Sequence, residues 1–220
     1  MIRARQAVVE KGMDDVIGTA GSFLSRSSVD AQNAMGNFTV EAMRDAAKAD
    51  FAFINLGGVR AEIPMGPVTY RQVFNVMPFD NQIVTMVVDG AMLKKIIETR
   101  VAGSRAGMII SGGKVVYSRQ RADFDRITLL EIGGEPWKAD KIYKVATTDF
   151  LLQGNAGLTL LTSIPESQII RNEINLRDAM VDYFKKYSPV NVKIDDRWAR
   201  SDRSKITPAL QAELDKLKNK

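Results

Sequence analysis

Asn55-Leu56-Gly57-Gly58-Val59-Arg60 follows directly on the apolar run Phe51-Ala52-Phe53-Ile54, and this junction sets the expected fold. A short apolar run bounded by a turn signal reads as a buried strand. It delivers Asn55 to the strand's carboxyl end, where open α/β sheets place their ligands. Gly57 and Gly58 permit positive φ and carry no Cβ, so the backbone can turn sharply and bring N–H groups close to a ligand. Arg60 follows at once, and a guanidinium forks two hydrogen bonds onto a phosphate, a carboxylate or paired hydroxyls as lysine does not. Each residue also has a plainer role, the glycines as a simple turn and the arginine as a surface ion-pair partner.

Working outward, Thr69 and Gln72 form a capping box, with Val68 and Val73 placed as a hydrophobic staple, so a helix of about two turns starts at Tyr70. Pro78 ends it and leaves Phe79 on a loop with Asp80-Asn81, where its ring either meets a flat ligand or packs under the loop. Upstream, residues 16–20 are β-like, residues 22–30 form a serine-rich loop, and a helix spans 38–48 with Asn37 as its N-cap. Downstream, residues 83–88 read as a strand covered on both faces, and Asp89 caps a helix with Leu93, Ile96, Ile97 and Val101 on one side. Strands at 115–117, 126–132 and 142–148 follow, with Gly133-Gly134 as a hairpin turn.

Asn175 caps a helix whose stripe is Leu176, Met180, Tyr183 and Phe184, ended by Ser188-Pro189. The pattern predicts an α/β domain with a mixed sheet over residues 16–196. A linker or helical lead-in occupies 1–15, and a charged tail, 197–220, carries a short helix from Thr207-Pro208 with Leu210, Leu214 and Leu217 on one face.

At 220 residues, 45% hydrophobic and 26% charged, the chain is long enough for one sizeable core. No apolar run approaches the ~20 residues that span a bilayer, and the N-terminus lacks a secretory pattern. With no cysteine there are no thiolate metal sites. With no histidine most zinc and general-base hydrolase designs fall away, and no Asp/Glu cluster has the spacing of a metal loop. The expectation is that this chain binds no cofactor of its own and does not break the bond itself. A net charge of +5 suits an anionic ligand as well as an ordinary basic surface. Arg119, Arg121 and Arg126 interleave with Asp123 and Asp125, a self-neutralising face rather than a nucleic-acid patch.

The block Asn55-Leu56-Gly57-Gly58-Val59-Arg60, then Gly66, then Pro78-Phe79-Asp80-Asn81 closely resembles the signature of the 5'-nucleotidase C-terminal domain. Ala34-Met35-Gly36-Asn37, Ser111-Gly112-Gly113, the run 143–151 and Ser188-Pro189-Val190-Asn191-Val192 extend the resemblance over most of residues 16–195. It implies a layered α/β/β/α domain that grips a nucleotide or nucleoside. An N-terminal metallophosphoesterase domain, holding two divalent metal ions and a catalytic His-Asp pair, would do the hydrolysis, in the periplasm or outside the cell.

On that resemblance Asn55 and Arg60 orient ribose or phosphate, Gly57-Gly58 admit the backbone, and Phe79 stacks on the base beside Asn81. Gly154, Asn155 and Gly157 form the opposite wall. At that wall the family carries Gly-Gly-Asp-Gly and an aromatic residue, whereas here Ala156 stands for the aspartate and Leu158 occupies the second stacking position imperfectly. A stand-alone nucleotide- or anion-binding module, or an interaction domain with a decayed loop, are the alternatives.

Overall fold

A computed structural model describes residues 12–28, 32–102 and 107–202. The lead-in before residue 12 and the helix expected from Thr207 lie outside the described residues. In chain order the elements are β1 (Val16–Ala20), α1 (Ala34–Ala47), β2 (Phe51–Ile54), β3 (Gly66–Thr69), α2 (Tyr70–Val76), β4 (Gln82–Asp89), α3 (Gly90–Ala102), β5 (Ile109–Ser111), β6 (Gly113–Tyr117), β7 (Ile127–Ile132), β8 (Glu135–Pro136), β9 (Ile142–Thr148), α4 (Asp149–Leu152), β10 (Ile169–Asn175), α5 (Leu176–Tyr187) and β11 (Trp198–Arg200).

The central sheet is five-stranded and mixed, in the order β10-β4-β9-β2-β5, with β2 and β9 parallel and the other neighbours antiparallel. A second sheet runs β11-β6-β7-β8, and β1 pairs with β3 in a separate ribbon.

The continuous apolar strands are explained by two cores, one on each face of the central sheet. In β2, Phe51 and Phe53 point into one cluster while Ala52 and Ile54 point into the other. Strand side chains alternate between faces, so a strand with a core on both sides must be apolar throughout. Phe51 and Phe53 are fully buried, and burial of such a side chain stabilises by roughly 1.5–3 kcal/mol. One core collects Phe38 and Met43 of α1, Val73 and Val76 of α2, and Met180 and Phe184 of α5. The other collects Leu93, Ile96 and Ile97 of α3 with Val115, Tyr117, Leu130, Ile132 and Trp198 of the second sheet. The result is the layered mixed α/β fold.

Several local expectations hold atom by atom. Thr69 N–H donates to Gln72 Oε1 at 2.8 Å and Gln72 N–H to Thr69 Oγ1 at 3.4 Å, which completes the capping box. Asp89 Oδ1 accepts from Met92 N–H at 2.7 Å, Asn175 Oδ1 accepts from Arg177 N–H at 2.9 Å, and Gly133 and Gly134 turn with φ of 64° and 81°.

Two expectations are corrected. Helix α1 begins four residues earlier than predicted, because Asn33 rather than Asn37 is the cap, its Oδ1 accepting from Gly36 N–H at 2.6 Å. Asn37 lies buried in the first turn and donates Nδ2 to Lys193 O at 3.2 Å. Both asparagines have the same capping chemistry, and packing decides between them. A Cβ on Gly36 would stand 2.3 Å from Ile109 Cδ1, so this glycine lets the early turn lie against β5. The fold also continues past residue 196. Trp198, Ala199 and Arg200 pair in parallel with Val115, Val116 and Tyr117, and Trp198 is only 1% exposed. Its charged flanks, among them Asp195, Arg197 and Asp202, give these residues the look of a solvated tail.

Candidate functional site

Strand order brings separate parts of the sequence to one edge of the central sheet. β2 and β9 run parallel, so Asn55 and the Asp149-Phe150 pair emerge at the same end. β4 runs antiparallel to β9, with Ile83 opposite Thr148, so its start, preceded by Phe79-Asp80-Asn81, lies at that end too. There Asn55, Gly57, Gly58, Arg60, Phe79, Asn81 and Phe150 line a hollow of about 230 Å³.

Leu56–Gly58 forms a single 3-10 turn, closed by Gly58 N–H donating to Asn55 O at 3.1 Å. Neither glycine takes positive φ. Their lack of a side chain serves space instead: a Cβ on Gly57 would lie 3.3 Å from Asn55 Nδ2, and one on Gly58 3.4 Å from Asn55 Oδ1. The amide of Asn55 therefore lies against a bare turn. Among the described residues neither its side chain nor that of Asn81 has a hydrogen-bond partner, so both amides are available to a ligand.

Arg60 is held through its backbone, with N–H donating to Val76 O at 2.9 Å and O accepting from Arg26 Nη1 at 3.0 Å. Its guanidinium makes one long bond, Nη1 to Gly57 O at 3.4 Å, and has no acidic partner among the described residues. The neighbouring carboxylates are engaged elsewhere. Asp80 pairs with Arg177 at 2.7 Å, and Glu62 accepts from Ser25 Oγ at 3.0 Å and Arg26 N–H at 2.7 Å. Arg60 is thus a cation directed at a hollow that also holds aromatic surface.

That surface comes from two rings. Phe79 and Phe150 are each 42% exposed, although Met77 and Leu151, close by in the chain, are buried in the core. Sequence reasoning alone misses Phe150. Its local signal is slight: like Phe79 beside Asp80, it is an aromatic residue with an aspartate neighbour, Asp149. Asp149 links the two positions, its Oδ1 accepting from Gln82 N–H at 3.1 Å and from Phe150 N–H at 2.8 Å.

The glycine loop that follows does not line the hollow. Gly154, Ala156 and Gly157 take left-handed φ of 85°, 56° and 79°, and beyond them Leu158 lies in the core, 1% exposed among neighbours such as Leu161. This corrects the expectation for Leu158. A leucine so enclosed presents no face for stacking, and Phe150 is the second ring at the hollow. Gly154, Asn155 and Gly157 stand behind Phe150, and Asn155 Nδ2 donates to Phe150 O at 2.8 Å. Arg100 of α3 reaches the same loop with Nη1 on Ala156 O at 2.6 Å. Burial lowers the pKa of its guanidinium from the ordinary value, and the group nonetheless carries its charge at neutral pH.

Comparison with known proteins connects the chain, by sequence and by fold, to the 5'-nucleotidases. The family model described as 5'-nucleotidase, C-terminal domain, matches residues 15–163. A 5'-nucleotidase-related protein of Glossina morsitans morsitans is 31% identical over 162 residues, covering 68% of this chain and 29% of the relative. The protein UshA of Escherichia coli (strain K12) is 29% identical over 167 residues, covering 74% of this chain and 29% of the relative. The chain thus spans under a third of the length of these curated relatives. The crystal structure of a 5'-nucleotidase precursor from Thermus thermophilus superposes with a TM-score of 0.79 at 24% identity, over 92% of this chain and 42% of that one, a likeness of fold.

Proposed function

The chain belongs to the 5'-nucleotidase family, matching its C-terminal domain, and from that membership we propose that it grips the nucleoside end of a nucleotide while a separate domain hydrolyses the phosphate ester. The family's chemistry is hydrolysis in nucleotide catabolism. The observation that carries the proposal is one hollow lined by Phe79 and Phe150, two amides open to a ligand and a guanidinium that no carboxylate among the described residues engages. Rings accept the face of a base, amides meet its edge or the sugar hydroxyls, and a guanidinium forks onto phosphate oxygens.

The phosphate chemistry is assigned elsewhere. Among the described residues no group of three or more His, Cys, Asp or Glu stands close enough to hold a metal ion. We assign the two divalent ions to an N-terminal metallophosphoesterase domain, and this chain's part is to fix the ester's position relative to it. Phe79 and Phe150 stack on the base, Asn55 and Asn81 set its rotation, and Arg60 limits the swing of the phosphate end. We place the whole protein in the periplasm or outside the cell. Among the described residues no helix is long and apolar enough to cross a membrane.

Calorimetric titration of the folded chain with AMP, adenosine and inorganic phosphate tests the assignment. AMP is expected to bind more tightly than adenosine, and adenosine more tightly than phosphate. No heat with any of the three would refute nucleotide binding and favour an interaction module.

A further inference from the structure

Arg100 lies outside the hollow, yet it connects three segments that converge behind one of its walls. Besides Nη1 on Ala156 O at 2.6 Å, its Nε and Nη2 reach Gly107 O at 3.3 and 3.0 Å. The guanidinium therefore joins α3, the chain entering β5 and the loop that follows α4. We propose that Arg100 is a positioning residue for the nucleobase wall: it holds the 154–158 loop at its left-handed Ala156 so that Asn155 fixes the backbone of Phe150 and, through it, the ring at the hollow.

The inference rests on reading the hollow as a nucleoside site, and three observations support it. The first is conformational. Ala156 has φ 56° and ψ 26°, a left-handed geometry that a residue with a Cβ adopts only when its surroundings impose it. Its carbonyl is the atom Arg100 holds. The second is the connection forward, Asn155 Nδ2 to Phe150 O at 2.8 Å, one residue from the held carbonyl. The third is the anchor on the far side, where Leu158 N–H donates to Asn155 O at 3.2 Å and its side chain is fully enclosed in the core.

A loop pinned at Leu158 and Ala156 leaves Asn155 little freedom, and Asn155 passes that restriction to Phe150. Arginine suits the task because its planar fork holds carbonyls on two segments at once, whereas an ammonium is a single point of donation. Four positions predicted to touch ligand, Gly154, Asn155, Gly157 and Leu158, thereby gain a common role as a brace.

The test compares AMP with ribose 5-phosphate, which shares the sugar and phosphate but has no base, by calorimetry on the full chain. Arg100→Met is expected to weaken AMP about fivefold, within the coupling known for contacting residues, and to change ribose 5-phosphate by less than about twofold. In a Phe150→Ala background the same change should cost AMP nothing further, because the ring through which Arg100 acts is gone. Arg100→Lys should fall between wild type and Met. Should Arg100→Met fail to fold, Asn155→Ala cuts the same connection later and should give the same base-selective loss. Equal weakening of both ligands, or a loss that adds fully to that of Phe150→Ala, would overturn the positioning role and leave the nucleoside site standing. Wild-type protein that binds neither ligand would remove the site and the role together.

Discussion

Truncating Phe150 to alanine is the sharpest test of the two-ring hollow, and its effect follows from the exposed surface. The residue is 42% exposed. For a phenylalanine of about 200 Å² that is about 80 Å², and a base lying on one face covers roughly half of it. At about 25 cal/mol per Å² the lost burial is about 1 kcal/mol. Ring-on-ring geometry adds about 0.5–1.5 kcal/mol. The sum, about 2 kcal/mol, falls within the range found by alanine substitution at base-stacking aromatics and corresponds to roughly 30-fold weaker AMP binding. Titration calorimetry of AMP and ribose 5-phosphate, with the melting temperature recorded on the same samples, checks the figure. An equal loss for both ligands at an unchanged melting temperature would show that the ring does not meet the base.

Three further outcomes follow from the same geometry. Arg60→Ala should weaken AMP by about 1.5–3 kcal/mol, the range for hydrogen bonds to charged groups, and adenosine by far less; matching losses in calorimetry would place its contact on the sugar. Leu158→Phe should bring no gain in AMP affinity and should lower the urea midpoint, since a larger ring in a filled site costs about 1–3 kcal/mol. Asp202 has its pKa lowered from 3.8, chiefly by its hydrogen bond from Arg200. A depressed carboxylate contributes stability that is complete above its unfolded value and is lost as pH falls through the folded one. Asp202→Asn should thus cost up to about 1 kcal/mol at pH 7, and that deficit relative to wild type should vanish in strong acid; a difference that persists there would rule out the ion pair as its source.

Much of the frame is legible because it rests on local chemistry. Thr69 with Gln72, Asp89 before an apolar helix, and Phe51 to Ile54 without a polar break each carry their structural meaning in sequence order. What escapes a sequence reading depends on distant contacts. Asn33 and Asn37 are equal as caps until Ile109 requires Gly36 to sit close to β5. The Trp198 strand is three residues long with charged flanks, and it is recognisable only beside Val115 and Tyr117. At the site, the residues around Asn55 and Phe79 stand out because turn chemistry marks them. Phe150 does not, because an aspartate neighbour by itself does not separate an aromatic residue that lines a hollow from one in a core. Leu158 is misread because its side chain lies in the core, beyond a loop whose left-handed turns at Gly154, Ala156 and Gly157 are not legible in the sequence.

The two ring-bearing segments are anchored in different cores. Phe79 follows α2, whose Val73 and Val76 belong to the core beneath α1 and α5, whereas Phe150 belongs to α4, whose Leu151 packs with α3 and the second sheet. Their separation is therefore set by the sheet between those cores. β4 and β9 pair along their whole length, from Ile83 opposite Thr148 to Asp89 opposite Ile142, and Asp149 bonds across the end of that ladder to Gln82 N–H. A backbone ladder yields little to side-chain repacking, so the spacing of the rings withstands changes in either core. What remains adjustable is the tilt of Phe150, which depends on the loop behind it and on the arginine that grips that loop. On the proposed reading of the hollow, substitution at Arg100, Asn155 or Ala156 consequently changes affinity for a base while the sheet edge that presents Asn55 and Arg60 stays as it is.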